Sequence, residues 1–259
     1  MKHIAILGAG NMGGAIAESL NGAPYKVTVT AHTQTTLDRV AEKCPEAAVT
    51  LSNADAVADA DFVVLCVKPW IVADVFKEIL GKVKPGAVII SVVAAMPTVD
   101  IAASLNATGF GLQIFRVIPN TAIRLGKSAT FIAPGYGATD ASLAEVVEIF
   151  DRSGRTFVVK ESEMGACTAL SSCGIAYFLR FIRAAAEGGV ELGLRAKFAH
   201  EVAAATAEGA AALVLDGGHP EAEIDKVTTP GGLTIKGLNA MEEKGFTAAV
   251  VAALKASMA

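Results

Sequence analysis

His3-Ile4-Ala5-Ile6-Leu7-Gly8-Ala9-Gly10-Asn11-Met12-Gly13-Gly14 decides the fold. His3 to Leu7 reads as a short buried strand, and Ala15 to Leu20 as the helix that follows it. Between them Gly8, Gly10 and Gly13 satisfy G-x-G-x-x-G. Each glycine has its own job when such a turn holds a dinucleotide. The first makes the tight turn, the second lets the backbone approach a pyrophosphate, and the third lets the helix pack closely on the strand. The helix N-terminus adds free N–H groups and a partial positive charge, both of which favour phosphate. By itself the pattern is only a tight glycine turn; after a strand and before a helix it reads as a nucleotide site.

Outward from this stretch, strand and helix alternate to about residue 155. Lys26–Thr30 is a second strand, Thr33–Lys43 a helix capped by Thr33, Ala48–Leu51 a third strand and Asn53–Ala60 a short helix. Asp61–Val67 is an unbroken apolar run, as expected of a strand covered on both faces. Pro69 suits the first turn of a helix over Trp70–Leu80. Ala87–Val93, Gln113–Ile118 and Ser128–Ala133 complete the strands. This order predicts an α/β chain with an N-terminal Rossmann-type, doubly wound, mostly parallel sheet over residues 1–157, with ligands at the carboxyl ends of its strands.

After Lys160 the strand signals stop and alanine rises. Ser162–Leu192 reads as one long helix, or two broken near Gly174, and Phe198–Leu215 as another. Glu221–Lys226 is short, a helix runs to Lys244 with Gly245 as its cap, and Thr247–Ser257 is the last. Residues 158–259 therefore form an all-helical C-terminal domain. Such apolar helices with few turns make a poor isolated domain, so they are expected to pack against a second copy.

Composition excludes several classes. The 259 residues leave room for one or two domains, and 53% hydrophobic content against 19% charged marks a globular chain. A net charge of −4 gives no reason to expect nucleic-acid binding. Cys44, Cys66, Cys167 and Cys173 form no C-x-x-C pair, and His3, His32, His200 and His219 lack metal-ligand spacing. No metal site and no disulfide framework are expected. Met1 runs straight into the first strand and no apolar run reaches membrane length, so the expected location is the cytoplasm, away from any membrane.

In NAD-binding folds an acidic residue about 20 positions past the glycines takes the ribose 2′-hydroxyl. Here that place reads Thr30-Ala31-His32-Thr33-Gln34, without a carboxylate. His32, Thr33 and the helix N-terminus can instead donate to a 2′-phosphate, and Arg39 lies one to two turns further on. The cofactor expected is NADP(H), with NADPH favoured and NADH possible. Lys68, in Val67-Lys68-Pro69-Trp70, falls at the carboxyl edge of the sheet. In Thr229-Pro230-Gly231-Gly232-Leu233-Thr234 two glycines between a proline and a helix expose backbone N–H groups that can hold a carboxylate or phosphate. A site built from both stretches would lie at the domain interface.

These residues together resemble the pyrroline-5-carboxylate reductase family. The likeness runs end to end through Gly8-Ala9-Gly10-Asn11-Met12, Val67-Lys68-Pro69, Arg116-Val117-Ile118-Pro119-Asn120-Thr121 and above all Thr229-Pro230-Gly231-Gly232-Leu233-Thr234. The resemblance implies NADPH-dependent reduction of the cyclic imine L-1-pyrroline-5-carboxylate to L-proline, the final step of proline biosynthesis. It also implies a homodimer through the helical domain, sometimes stacked into larger rings. By position it implies that Gly8, Ala9, Gly10, Asn11 and Met12 hold the pyrophosphate. His32 and Thr33 would read the 2′-phosphate, Asn53 the adenosine half, and Cys66, Val67, Lys68 and Pro69 face the nicotinamide end. Thr229, Gly231, Gly232, Leu233 and Thr234 would hold the substrate carboxylate, with Thr234 nearest the imine as the catalytic hydrogen-bond donor.

The chain departs from the family pattern at Cys173, Ile175, Ala122 and Leu233. The loss of a proline at Ile175 is expected to straighten the long helix, and Leu233 removes a hydroxyl contact. Two other readings stay open on sequence alone. An NADP-dependent 3-hydroxyacid dehydrogenase would want an acid/base lysine on the helical domain, where Lys160 and Lys197 stand in no recognisable motif. A non-catalytic NADP-binding sensor would bind the cofactor without consuming it.

Overall fold

A computed structural model describes residues 1–93 and 96–258. The chain divides into two compact units, Met1–Ser172 and Cys173–Ala259. The first runs β1 (Lys2–Leu7), α1 (Asn11–Ser19), β2 (Tyr25–Thr30), α2 (Gln34–Lys43), β3 (Ala48–Thr50), α3 (Asn53–Val57), β4 (Phe62–Leu65) and α4 (Val72–Ile79). It continues with β5 (Val88–Ser91), α5 (Thr98–Ser104), α6 (Ala107–Phe110), β6 (Gln113–Ile118), β7 (Ser128–Pro134), α7 (Asp140–Asp151), β8 (Gly154–Val158) and α8 (Met164–Cys167).

The sheet order is β3-β2-β1-β4-β5-β6-β7-β8. Every neighbouring pair is parallel except β6 and β7. Only the short segment 119–127 joins β6 to β7, too little for the crossover that a parallel pair needs. Alternation along β1 and β4 sends Ile4, Ile6, Phe62 and Val64 to one face, with Ile16, Leu37 and Phe150. Ala5, Leu7, Val63 and Leu65 go to the other, with Val57, Phe76 and Ile101. Both faces are thus covered, and each fully buried Ile, Leu or Phe contributes about 1.5–3 kcal/mol. The chain winds outward from β1 in one direction and from β4 in the other. A crevice opens at that reversal, beyond the carboxyl ends of β1 and β4.

The strand over Asp61–Val67 is shorter than expected: the ladder stops at Leu65, and Cys66 and Val67 turn out of it. β8 has no counterpart in the sequence reading. It is an edge strand whose Arg155, Phe157 and Val158 are exposed, so no buried alternation announces it. The compact first unit extends to Ser172. Ser171 Oγ donates to the Ala129 carbonyl and Ser172 Oγ to the Pro119 carbonyl, both at 3.1 Å, and tie these residues to the sheet.

The second unit is helical throughout: α9 (Gly174–Glu191), α10 (Ala196–Leu215), α11 (Pro220–Lys226), α12 (Leu233–Glu243) and α13 (Phe246–Ala256). Residues 168–173 before α9 form a π-helical turn. α9 and α10 pair where Gly189 faces Ala199: a Cβ on Gly189 would lie 3.2 Å from that of Ala199. Phe181 and Phe246 meet edge to face at 6.1 Å. Few residues are buried here, and Phe178, Leu179, Leu213 and Leu215 are exposed. By length and mean hydropathy alone, Glu161–Glu191 and Ala196–Leu215 are long and apolar enough to cross a membrane. That corrects the expectation that no apolar stretch reaches this length. Alanine explains the difference, because it raises mean hydropathy while offering little surface to bury.

Candidate active site

The glycine turn forms as the motif demands. Gly8 leaves β1 at φ +99°, and Gly8 N–H and Ala9 N–H both donate to the Thr30 carbonyl, at 3.2 and 2.8 Å. A Cβ on Gly13 would lie 2.1 Å from the Gly8 oxygen and 3.0 Å from Cys66 Cβ, so only glycine lets α1 sit this close to the strands. A Cβ on Gly10 would meet nothing within 4 Å, so that side of the turn is open. Gly10 is also the N-cap of α1 and has no side chain with which to cap it. The first-turn N–H groups of α1 are therefore left for a ligand.

A cavity of about 800 Å³ lies over this turn. It is lined by Ala9, Gly10, Asn11 and Met12 from the turn, and by Cys66, Val67, Lys68 and Pro69 after β4. Arg39 and Lys43 of α2, Thr121 and Arg124 after β6, and Glu18 of α1 also line it. Four cations thus face one carboxylate, and that carboxylate is already taken: Lys43 Nζ lies 2.7 Å from Glu18 Oε1. The donor set suits a polyanion, and the volume suits a dinucleotide. Burial pushes the Cys66 thiol far above its ordinary range, so it is a neutral wall of the cavity.

Three of the residues expected to touch cofactor, His32, Thr33 and Asn53, are not among those lining this cavity. His32 and Thr33 are exposed and do not line the cavity. Thr33 Oγ1 accepts from the Thr36 N–H as the cap of α2. Asn53 acts one step back: Thr30 Oγ1 donates to Asn53 Oδ1 at 2.6 Å and itself accepts from Gly8 N–H at 3.2 Å. Asn53 also donates to Glu78 at 2.6 Å. Conversely, Lys43, Glu18 and Arg124 line the cavity without a sequence signal of their own, and Thr121 lines it from within the Arg116–Thr121 motif. Arg124 stands one turn beyond the Arg116–Thr121 motif, whose position at the carboxyl edge was the available signal. No local pattern marks the Glu18–Lys43 pair, which only the packing of α1 beside α2 brings together. Asn120 in that motif is structural: its Oδ1 accepts from the Ala122 N–H and its Nδ2 donates to Ser171 Oγ, both at 3.0 Å.

In the second unit Thr229-Pro230-Gly231-Gly232 is a tight turn closed by Gly232 N–H to the Thr229 carbonyl at 2.9 Å. Pro230 is followed by Gly231 at φ +71°, the pattern of a type II turn. A Cβ on Gly232 would lie 2.5 Å from Thr229 Oγ1. Gly232 caps α12 without a side chain, so the Leu233 and Thr234 N–H groups lie free beside the exposed Thr229 and Thr234 hydroxyls.

Comparison with known proteins bears on both halves. Residues 161–259 match the family model described as "Pyrroline-5-carboxylate reductase dimerisation". Residues 3–95 match the one described as "NADP oxidoreductase coenzyme F420-dependent". A pyrroline-5-carboxylate reductase of Dictyostelium discoideum, number 1, is 39% identical over 96% of this chain, which spans only 47% of that protein. Number 2 of the same organism is 37% identical over 96% of this chain and 89% of its own. The chain belongs to the pyrroline-5-carboxylate reductase family. Among solved structures, the pyrroline-5-carboxylate reductase of Coxiella burnetii is similar with a TM-score of 0.87 at 28% identity, covering 98% of this chain and 95% of that one. Membership of this reductase family agrees with the fold class read from the glycine turn and the helical second half.

Proposed function

We propose that this chain reduces L-1-pyrroline-5-carboxylate to L-proline with NADPH, as the last step of proline biosynthesis. The observation that carries the reading is the pairing of two anion-binding turns in a chain of this family. One is the Gly8–Met12 turn under a cationic cavity; the other is the Thr229–Thr234 turn, with free N–H groups and two hydroxyls. The first suits a dinucleotide and the second a small carboxylate.

When bound, the reduced nicotinamide supplies the hydride that saturates the C=N bond. The chain's task is to position. Gly8, Ala9, Gly10, Asn11 and Met12 hold the pyrophosphate, while Cys66, Val67, Lys68 and Pro69 border the nicotinamide end. Asn53 steadies Thr30 and through it Gly8. Thr229, Gly231, Gly232 and Leu233 hold the substrate carboxylate with N–H and hydroxyl donors. Thr234 donates to the carboxylate, or to the lone pair of the unprotonated ring nitrogen before water protonates it. A protonated imine is already a strong electrophile, so orientation can supply several kcal/mol without a dedicated acid. Cys66, the ionisable group most strongly shifted at this site, stays neutral.

The working form is a homodimer, or a stack of dimers, in the cytoplasm without a membrane. Exposed Phe178, Leu179, Leu213 and Leu215 lie within the segment that resembles a dimerisation domain, and a second copy would cover them. We read residues 1–157 as the cofactor domain and 158–259 as the dimerisation and substrate domain. Incubation with NADPH and pyrroline-5-carboxylate should yield one proline per NADPH consumed, counted by chromatography. Substrate loss without proline would contradict the assignment.

A further inference from the structure

We propose that Arg39 reads the 2′-phosphate of the cofactor and sets the preference for NADPH over NADH. The inference rests on the reading that the cavity takes a nicotinamide dinucleotide. In this fold the adenosine ribose lies beyond the carboxyl end of the second strand, where an acidic residue selects NAD and a nearby arginine accommodates NADP. The β2–α2 connection offers no acid, and neither of its polar side chains lines the cavity. The Thr33 hydroxyl accepts from the Thr36 N–H and lies 2.9 Å from Thr36 Oγ1, and His32 does not line the cavity.

Two cations of α2 line the cavity, Arg39 and Lys43. Lys43 is committed to Glu18 at 2.7 Å, and this pair cancels the only carboxylate in that wall. Arg39 has no ion-pair partner among the described residues and is exposed, so its charge is the uncompensated one on this side. Helical side chains lean toward the N-terminus of their helix, and the β2–α2 connection lies at that end of α2. A guanidinium matches a phosphate with two parallel hydrogen bonds, and a hydroxyl at the 2′ position offers no such partner. Arg39 therefore discriminates between the two cofactors.

Fluorescence titration gives dissociation constants for NADPH and NADH directly, without turnover. Arg39→Ala should weaken NADPH binding on the order of tenfold or more and leave NADH within about twofold, while Arg39→Lys keeps part of the preference. Calorimetry with 2′,5′-ADP against 5′-ADP should show the same split. His32→Ala should leave both unchanged. Equal losses for both nucleotides, no loss for either, or a selective loss in His32→Ala would overturn the proposal. A parent protein that binds neither nucleotide would overturn the cofactor reading as well. A selective Arg39 effect in a protein that fails to reduce pyrroline-5-carboxylate would uphold this inference and contradict the substrate assignment alone.

Discussion

A Cβ placed on Gly13 would stand 2.1 Å from the carbonyl oxygen of Gly8. Two glycines five residues apart thus set how closely α1 approaches β1. Gly10, between them, meets nothing within 4 Å and has an ordinary φ of −69°. The two outer glycines serve the fold, and the middle one serves the ligand.

Gly13→Ala should accordingly lower stability by about 1–3 kcal/mol, the usual cost of overpacking, because both clashing groups are backbone or core. Gly10→Ala should change stability by less than about 1 kcal/mol but weaken NADPH binding on the order of tenfold, since its methyl group enters the space left for phosphate. Urea unfolding and NADPH titration of both variants check this. Equal effects of the two substitutions on both quantities would contradict it.

His3 links the sheet to acid pH. Burial first, then the Lys26 ammonium, lowers its pKa, and Nε2 lies 2.8 Å from Thr28 Oγ1. The folded state therefore resists a proton that the unfolded chain accepts near pH 6.5. This contribution to stability is full above that pH and is lost as pH falls through the lowered folded value. Asp61 follows at lower pH. Burial opposes its charge, but the Lys84 ammonium at 2.6 Å and the His3 N–H at 2.9 Å outweigh it and hold the carboxyl below its ordinary range. Its contribution is present above about pH 3.9 and disappears below. Tm should begin to fall on acidification below about pH 6.5, and His3→Gln should flatten that first decline. A decline of unchanged slope in the variant would exclude His3 as its source.

Much of this was legible because the signals were local. The glycine turn, the apolar strands and Thr33 as a cap depend on neighbours in sequence, and they form as read except that β4 stops at Leu65. The Thr229–Thr234 turn was legible for the same reason: proline then glycine fixes its backbone. What escaped depends on packing. Arg39 was only a remote candidate until α2 lay against α1, and the Glu18–Lys43 pair spans two helices. The bond from Thr30 to Asn53, made across 23 residues of sequence, likewise depends on packing. β8 escaped because an exposed edge strand carries no buried period.

Thr234 stands at the exposed start of α12, free to donate. Thr234→Ala should lower kcat/KM for pyrroline-5-carboxylate on the order of tenfold to a hundredfold, the effect of losing a directed hydrogen bond to a charged group. NADPH affinity should not change. An unchanged kcat/KM would remove Thr234 from the reaction.

The exposed apolar residues of the second unit need a cover. Phe178 is 68% exposed on α9. Phe178→Asp should shift the protein from dimer toward monomer in detergent-free sedimentation and reduce turnover with it. A parent protein that stays monomeric when dilute, or that stays in solution only with detergent, would refute the homodimer as the cover of these helices.

The most direct measurement of the central claim follows absorbance of the reduced nicotinamide. Protein is mixed with NADPH, and pyrroline-5-carboxylate is added. A rapid, enzyme-dependent fall is predicted, with no fall when a 3-oxo acid replaces the imine. A fall with the 3-oxo acid alone, or none with either substrate despite NADPH binding, would contradict the assignment.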